Sequence, residues 1–260
     1  MSQLFSIPVR PPYPWEALLR YLTFRSTPGR ETISANRYVR QTPQGSISIT
    51  FDSSASSLVV EGDAGPPHLR PRVERLFDTR HDPSPVTRAL ASSPILRPRI
   101  RKLPGLRVPG CWEPFELCLR VILGQQVSVK AAHTLMGRLS SRCELLQATH
   151  LAAADLSNLG MPARRLQTLR LFVERVADGE IRLDSPWKDL AARLACVPGF
   201  GPWTLQYLAI RLGRDPDAFP IQDLGLMRAA GAGSPRELER LAESWRPFRG
   251  YAAMYLWIVE

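Results

Sequence analysis

The chain has 260 residues, of which 44% are hydrophobic, and a chain of this size can bury a sizeable core in one to three domains. Its 34 Lys and Arg residues outnumber its 24 Asp and Glu residues, and the resulting net charge of +10 favours a polyanionic partner. No stretch reaches the ~18 apolar residues of a membrane span, and the N-terminus lacks a signal-peptide pattern, so we expect a cytoplasmic protein without a membrane partner.

Residues 1–90 predict a small α+β domain. Period-two alternation indicates strands, and helical periodicity indicates helices packed on one face of an antiparallel sheet. The predicted strands cover residues 4–9, 46–51 and 57–60, and the predicted helices cover residues 14–24 and 68–77.

Helical periodicity takes over in the rest of the chain. Residues 83–110 are rich in Pro and Arg and predict short helical turns and a crossing linker, which places the domain boundary near residue 90. Residues 91–260 are predicted to form an all-α domain of two helical lobes with a cleft between them. The predicted helices cover residues 115–123, 129–139, 152–159, 162–177, 189–196, 202–212, 223–230, 235–244 and 247–258.

Residues 190–212 predict a helix, a tight hairpin and a second helix. An amphipathic run ends at Cys196, the segment Val197-Pro198-Gly199-Phe200-Gly201 forms the turn, and Pro202 begins the second helix. The two glycines of the turn can adopt positive φ and allow close backbone approach. Unpaired N–H groups at the start of the second helix, together with the helix dipole, form a ready phosphate site.

Two motifs resemble those of the helix-hairpin-helix DNA glycosylase superfamily, and most closely its inducible bacterial 3-methyladenine DNA glycosylase II group. One is the hairpin turn through Thr204, followed by Asp223 in a Phe-Pro-Ile-Gln-Asp-Leu context. The other is residues 109–116 followed by Ile122-Leu123-Gly124-Gln125-Gln126-Val127-Ser128. The segment Pro11-Pro12-Tyr13-Pro14-Trp15, with Arg25, Gly29, Glu31 and Tyr38, is a looser match to the N-terminal domain of the same group, so the resemblance covers nearly the whole chain. It implies a small N-terminal antiparallel-sheet α+β domain, then an all-α glycosylase domain, in a monomeric, nucleoid-associated bacterial enzyme acting on double-stranded DNA with alkylated bases.

Asp223 is the catalytic residue that the resemblance implies. A duplex hides the glycosidic bond, so a glycosylase must first extrude the nucleotide. A carboxylate beside C1′ then stabilises the oxocarbenium charge and orients or deprotonates the attacking water. Under the alternative interpretation, which can hold at the same time, Asp223 is the N-cap of the helix at 224–230.

Trp203 and neighbouring aromatic residues are the candidate substrate pocket. Bifunctional members of the superfamily carry a Schiff-base lysine at the position of Trp203, so the resemblance implies a monofunctional enzyme that uses water. Tyr207 lies one turn later on the same helical face. Aromatic faces attract a cationic alkylated base by roughly 0.5–2 kcal/mol. The full candidate set is Trp203, Tyr207, Trp112, Trp257 and Leu224, with core packing as the alternative for each tryptophan.

The resemblance also implies DNA contacts at two turns. The corner after Gly124 would present Gln126 as a wedge that enters the duplex where the base leaves, although the best-known member has an apolar residue there. The alternative interpretation of this corner is a helix link without a DNA role. The candidate DNA-binding residues are Gln125, Gln126, Val127 and Ser128 at the corner, and Pro198, Gly199, Phe200, Gly201 and Thr204 at the hairpin.

No catalytic cofactor is expected. The four cysteines, Cys111, Cys118, Cys143 and Cys196, contain no CxxC pair and indicate neither a zinc ribbon nor a disulfide framework. The endonuclease III-like branch carries four closely spaced cysteines after the hairpin for an iron–sulfur cluster, and this chain has no cysteine after Cys196. The resemblance implies at most a structural Na⁺ or K⁺ ion at the hairpin, held by the backbone carbonyls of Ala195, Val197 and Gly199.

The sequence therefore predicts a monofunctional DNA glycosylase that excises 3-methyladenine and 7-methylguanine in base excision repair. One alternative is a non-catalytic helix-hairpin-helix module or damage sensor that only holds DNA, and Asp223 downstream of the hairpin counts against it. A bifunctional lyase is the other alternative. The chain lacks both the lysine and the cysteine cluster that this alternative requires.

Overall fold

The structure, a computed structural model, describes residues 2–258 and consists of an antiparallel sheet followed by a helical region. The strands are β1 (Ser2–Pro8), β2 (Glu31–Ile33), β3 (Arg37–Thr42), β4 (Gly45–Asp52) and β5 (Ser57–Gly62). The first helices are α1 (Trp15–Thr23), α2 (Leu69–Phe77), α3 (Pro83–Leu90) and α4 (Arg97–Lys102). The later helices are α5 (Pro114–Gly124), α6 (Val129–Ser140), α7 (Ala148–Ala153), α8 (Ala163–Ala177), α9 (Trp187–Ala195), α10 (Pro202–Arg211), α11 (Leu224–Ala230), α12 (Pro235–Ala242) and α13 (Arg249–Ile258).

The sheet has five strands in the order β1-β5-β4-β3-β2, and each neighbouring pair is antiparallel. Alternate residues of its central strands, such as Ile47, Ile49, Leu58 and Val60, are fully buried. This alternation buries one face of the sheet against α1 and α2, since successive side chains of a strand point to opposite faces. The predicted fold class is confirmed.

Two hydrophobic cores divide the molecule. The first joins the sheet and α1–α4 to the C-terminal helices α11–α13, and Trp245 and Tyr255 are among its most buried side chains. The second is built by α5–α10 and contains Phe172 and Leu208. The sheet and the last helices therefore share one core, and the middle helices form the other.

Several predicted elements differ from the structure. Strands β2 and β3 were not predicted, and the predicted helix at 152–159 is wrong because α7 ends at Ala153 and its C-cap is extended. The short helical turns predicted within residues 83–110 are present as α3 and α4, and their Leu90 and Ile100 belong to the first core. The predicted domain boundary at residue 90 stays a prediction.

A buried ion pair ties the sheet to the second core. Arg40 of β3 donates from Nη1 to Oε2 of Glu116 in α5 over 2.9 Å, and Thr27 Oγ1 donates to the same oxygen over 2.8 Å. Arg40 and Glu116 are both at least nine-tenths buried. Burial raises the pKa of Glu116, but the Arg40 guanidinium and the hydrogen bonds more than offset this, so its pKa lies below the ordinary value.

Candidate active site

The predicted hairpin is present as α9, a five-residue turn and α10. Gly199 has φ +94°, in the left-handed region where only glycine is unstrained, and Gly201 is the N-cap of α10. The Gly199 carbonyl accepts a hydrogen bond from Gln125 Nε2 over 2.8 Å, so the hairpin is connected to the corner after α5. The first turn of α10 begins beside the exposed Gly201, and the N–H groups of a first helical turn have no partner within the helix. This geometry suits a phosphate.

Two residues of the predicted DNA-binding turn, Phe200 and Thr204, have buried side chains, so the prediction for them is limited to their backbone groups and stays a prediction. Phe200 is 3% exposed and stacks on Phe172 with a centroid distance of 5.5 Å, because an apolar ring in this turn is more stable in the core than in water. Thr204 is 4% exposed, and its Oγ1 donates to the Gly199 carbonyl. Neither side chain can reach DNA. Pro198, Gly199 and Gly201 are exposed.

The three carbonyls suggested for a monovalent cation lie in this same turn. The Gly199 carbonyl already accepts the Gln125 amide, and the Val197 carbonyl accepts the Phe200 N–H over 3.0 Å. Each carbonyl oxygen has two lone pairs, so one acceptor position remains on Val197, whereas the Gln125 amide and the Thr204 hydroxyl use both positions on Gly199. Ala195 is the last residue of α9. A monovalent cation at the hairpin therefore stays a prediction.

The corner between α5 and α6 is exposed, as a DNA-inserting turn requires. Gln126 has φ +58°, an uncommon conformation for a residue with a Cβ, and its side chain is exposed. Ser128 is the N-cap of α6, and its Oγ accepts a hydrogen bond from the Ala131 N–H over 3.2 Å. Val127 is 37% exposed. The corner brings the predicted residues to the surface next to a cavity.

That cavity has a volume of about 320 Å³ and lies where the two cores meet. Trp203 and Tyr207 pack against the second core, and Trp257 packs against the first. It combines α10 and Asp223 with the C-terminal helix, the α5–α6 corner and helix α1. The lining residues are Tyr21, Phe24, Arg25, Arg120, Val121, Gly124, Val127, Val129, Ala132, Trp203, Tyr207, Asp223 and Trp257.

Asp223 is fixed at the cavity wall by three donors. Trp203 Nε1 donates to Oδ2 over 2.8 Å, and Trp257 Nε1 donates to Oδ1 over 3.3 Å. Oδ1 also accepts the Leu226 N–H over 2.8 Å, which makes Asp223 the N-cap of α11 as the alternative interpretation expected. Such hydrogen bonds stabilise the carboxylate charge and set its orientation. The positive end of α11 acts in the same direction.

The aromatic side chains form a stack beside this carboxylate. Trp203 and Tyr207 are parallel within 9° with centroids 5.3 Å apart, and Trp257 meets Tyr207 edge-on at 5.7 Å. Arg211 Nη1 donates to the Tyr207 hydroxyl over 2.7 Å. Burial raises the pKa of Tyr207, but Arg211 and Arg25 offset this, so its pKa lies below the ordinary value. The predicted helical face is therefore an ordered aromatic surface.

Two predicted pocket residues lie elsewhere. Trp112 is 3% exposed, stacks on Tyr38 of β3 at 6.3 Å, and lies under the Arg40 guanidinium at 5.4 Å. It is core packing, which corrects its assignment to the pocket. Leu224 is 73% exposed as the first residue of α11, and it lies outside the cavity lining.

Sequence reasoning missed the contribution of helix α1. Tyr21, Phe24 and Arg25 line the cavity, and the Arg25 guanidinium lies over the Tyr21 ring with Cζ 3.9 Å from its centroid. The sequence signal was present, because Arg25 belongs to the N-terminal segment that resembles the superfamily. The long-range packing that brings this helix to Asp223 was not predicted.

Comparison with known proteins identifies the family of the chain. Residues 4–113 match the family model described as the AlkA N-terminal domain. The chain is 30% identical over 284 residues to DNA-3-methyladenine glycosylase 2 of Escherichia coli, with 99% of this chain and 98% of that protein covered. The chain belongs to the DNA-3-methyladenine glycosylase 2 family. It is also 35% identical over 276 residues to the "Probable bifunctional transcriptional activator/DNA repair enzyme AlkA" of Mycobacterium tuberculosis.

Coverage differs between these relatives of the DNA-3-methyladenine glycosylase 2 family. The match to the mycobacterial protein includes 96% of this chain but spans about half, 56%, of that protein. Among solved structures, a 3-methyladenine DNA-glycosylase from Archaeoglobus fulgidus has a TM-score of 0.77 to this chain at 17% identity. The alignment covers 98% of this chain and 97% of the archaeal chain. This likeness shows the fold. Within residues 2–258, none of the helices has the length and apolar character needed to cross a bilayer.

Proposed function

We propose that this protein is a monofunctional DNA glycosylase that hydrolyses the N-glycosidic bond of alkylated purines in duplex DNA, chiefly 3-methyladenine and 7-methylguanine. The observation that carries the proposal is the Asp223 carboxylate, held by two indole N–H groups and a backbone N–H at the wall of an open cavity. The Escherichia coli relative, whose name is DNA-3-methyladenine glycosylase 2, supports the choice of reaction and of base.

The cavity provides the place for an extruded nucleoside. Rotating a nucleotide out of the helix costs a few kcal/mol, and an alkylated base that pairs poorly costs less. As the base departs with the bonding electron pair, positive charge develops on C1′ and the ring oxygen of the sugar. The Asp223 carboxylate stabilises this charge and orients the water that adds to C1′, and the water loses its proton to the carboxylate or to solvent. The products are a free base and an abasic site.

Base recognition follows from the aromatic wall. An alkylated purine that carries positive charge is attracted to the faces of Trp203, Tyr207 and Trp257 by roughly 0.5–2 kcal/mol. The same charge makes the base a better leaving group, because it departs neutral. Both effects favour alkylated over normal bases.

We assign DNA binding to two exposed turns, the hairpin and the corner between α5 and α6. The backbone N–H groups at Gly199, Gly201 and the start of α10 bind a phosphate, with Na⁺ or K⁺ as a structural bridge. Gln126 enters the gap that the extruded base leaves. The protein acts as a monomer on the bacterial chromosome, and its net charge of +10 attracts it to that polyanion.

Strand cleavage is not part of the proposed reaction. An indole has no basic amine, so Trp203 cannot attack C1′ and form the Schiff base on which a lyase depends. The lyase alternative would need a lysine in the cavity, and the lining of the cavity within residues 2–258 contains arginines as its basic residues.

Release of methylated bases from alkylated duplex DNA by the wild type and by Asp223→Asn tests the proposal. Asparagine is as good an N-cap as aspartate, so the variant should fold, but it lacks the negative charge. We expect base release to fall by at least about 10²–10³-fold while DNA affinity is retained. Asp184→Asn is the matched control, because Asp184 is 77% exposed and its loss should leave activity unchanged.

Three results would contradict parts of this proposal. Full activity of Asp223→Asn would remove Asp223 from the reaction. DNA binding by the wild type without any base release would support a non-catalytic module. Strand nicking at the rate of base release would support a lyase.

A further inference from the structure

Exposed apolar side chains cluster around the cavity that contains Asp223. Among residues 2–258, the large hydrophobic side chains that remain exposed are Phe24, Val127, Val129 and Leu224. The first three line this cavity, and Leu224 directly follows Asp223. Exposed apolar surface gathered at a single place generally marks a binding surface.

Phe24 is the aromatic member of this cluster. It follows the last residue of α1 as the C-cap, and 48% of it is exposed. The His133 ring of α6 meets it edge-on with centroids 6.2 Å apart and an interplanar angle of 81°. The ring is therefore positioned by a neighbouring helix while about half of its surface remains open.

Phe24 lies at the mouth of the cavity. Tyr21 lies one turn earlier on α1, is 6% exposed and forms part of the cavity floor, where Arg211 Nη1 donates to its hydroxyl over 3.1 Å. Phe24 lines the same cavity but is far more exposed than Tyr21. A nucleoside entering from DNA reaches Phe24 before it reaches Tyr21.

We propose that Phe24 stacks on the extruded base and is a substrate-contacting specificity residue supplied by the N-terminal sheet domain. The inference rests on the proposed function, since it assigns a second aromatic contact to the same pocket. Trp203, Tyr207 and Trp257 form one wall, and Phe24 provides an aromatic ring on the wall contributed by α1. A base between aromatic surfaces on two walls gains stacking on more than one side.

The contact requires a base and not merely a strand of DNA. A π face interacts with the ring of a base, whereas an abasic sugar offers it nothing to stack on. The contribution of Phe24 to DNA affinity should therefore vanish when the base is absent. A purely structural role for Phe24 would affect both kinds of DNA equally.

The test measures binding of the wild type, Phe24→Ala, Phe24→Leu and Phe24→Tyr to two duplexes. One contains a 2′-fluoro-7-methylguanine nucleotide, whose fluorine opposes oxocarbenium formation and so resists cleavage, and the other contains a tetrahydrofuran abasic analogue. We expect Phe24→Ala to bind the first duplex about tenfold more weakly and the second unchanged. Phe24→Leu should lose nearly as much, and Phe24→Tyr should retain affinity because it keeps the ring.

Equal weakening on both duplexes, or no weakening on either, would overturn the inference. Full affinity of Phe24→Leu for the methylated duplex would also overturn the inference, because it would show that the volume of the side chain matters and that its aromatic ring does not. Leucine is also the variant that keeps the protein folded if alanine does not, and thermal denaturation checks this. Failure of the proposed function has a different signature: the wild type would release no 7-methylguanine from cleavable DNA, whatever the Phe24 variants bind.

Discussion

The two walls of the cavity are built in different ways. On the wall formed by α10, Asp223 and α13, side chains bind one another: two tryptophans donate to the Asp223 carboxylate, and Trp203 stacks on Tyr207. On the wall formed by α1, Arg25 donates to the Tyr21 backbone carbonyl, and about half of Phe24 is exposed. The first wall is fixed by its own contacts, and the second takes its position from the domain behind it.

We infer that the fixed wall carries the chemistry together with part of the base recognition, and that the α1 wall adds a second recognition surface. A carboxylate that must face C1′ needs a fixed orientation, and hydrogen bonds from three donors supply it. The α1 wall instead offers the exposed apolar ring of Phe24. Arg211 joins the two walls at their base, because its Nη1 donates to both the Tyr21 and the Tyr207 hydroxyl groups.

Glu116→Gln should have the largest effect, because it acts on the contact between the second core and the sheet against which α1 packs. It removes the charge that Arg40 pairs with in the interior, where breaking a buried pair typically costs about 3–5 kcal/mol. We expect the free energy of unfolding to fall by about 3 kcal/mol at pH 7, toward the low end because Glu31 also lies within 3.6 Å of Arg40. Chemical denaturation measures it.

The stability that Glu116 contributes should also depend on pH. The folded-state pKa of Glu116 is lowered, so its contribution is present above the unfolded pKa and is lost as the pH falls through the folded pKa. The difference in stability between wild type and Glu116→Gln should therefore shrink on acidification. Glu113→Gln is the control, since its pair with Arg72 is partly exposed and should contribute at most about 1 kcal/mol. Equal losses in the two variants would contradict the role of the buried pair.

The fixed wall could be predicted from the sequence, because its geometry is mostly local. Trp203 and Tyr207 are four residues apart on one helix, so they had to share a face, and the parallel stack confirms it. The N-cap position of Asp223 follows from the residue type and the helix after it. The indole hydrogen bonds to Asp223 were not predicted, since they depend on how α10 and α13 meet.

The α1 wall could not be predicted because it depends on packing across the two cores. Helical periodicity in residues 14–24 identifies a buried face but gives no reason for Phe24 to stay exposed. Strand β3 was missed for a related reason, since Arg40 occupies a buried position that an apolar pattern assigns to a hydrophobic residue. Its burial makes sense only with Glu116 opposite it.

Trp203→Phe should weaken the fixed wall without removing it. Phenylalanine keeps an aromatic face against Tyr207 but cannot donate to Asp223 Oδ2, and a hydrogen bond to a charged group typically contributes about 1.5–3 kcal/mol. We expect kcat for base release to fall at least about tenfold with little change in KM, because the lost contact acts on the transition state. Phe24→Ala should show the opposite pattern. An unchanged kcat would mean that Trp257 and Leu226 suffice to orient the carboxylate.

Gln125→Ala should have the smallest effect, because it leaves both walls intact and loosens the turn beside them. Its Nε2 connects the corner to the hairpin through the Gly199 carbonyl, over 2.8 Å at an exposed position. A neutral hydrogen bond of this kind contributes about 1 kcal/mol, so we expect DNA affinity to fall by roughly fivefold. Equilibrium binding to the tetrahydrofuran duplex measures this without any contribution from stacking on a base.

Gln126→Ala distinguishes the Gln125–Gly199 hydrogen bond from a direct contact between the corner and DNA. The Gln126 side chain is exposed and adjacent, so its loss should reduce extrusion of a base while the hairpin stays in place. If Gln125 acts through the hairpin, Gln125→Ala should also reduce the dependence of affinity on salt, because a displaced hairpin loses a phosphate contact. Gln126→Ala should keep the wild-type salt dependence. Identical salt dependence in all three proteins would show that the corner and the hairpin bind DNA independently.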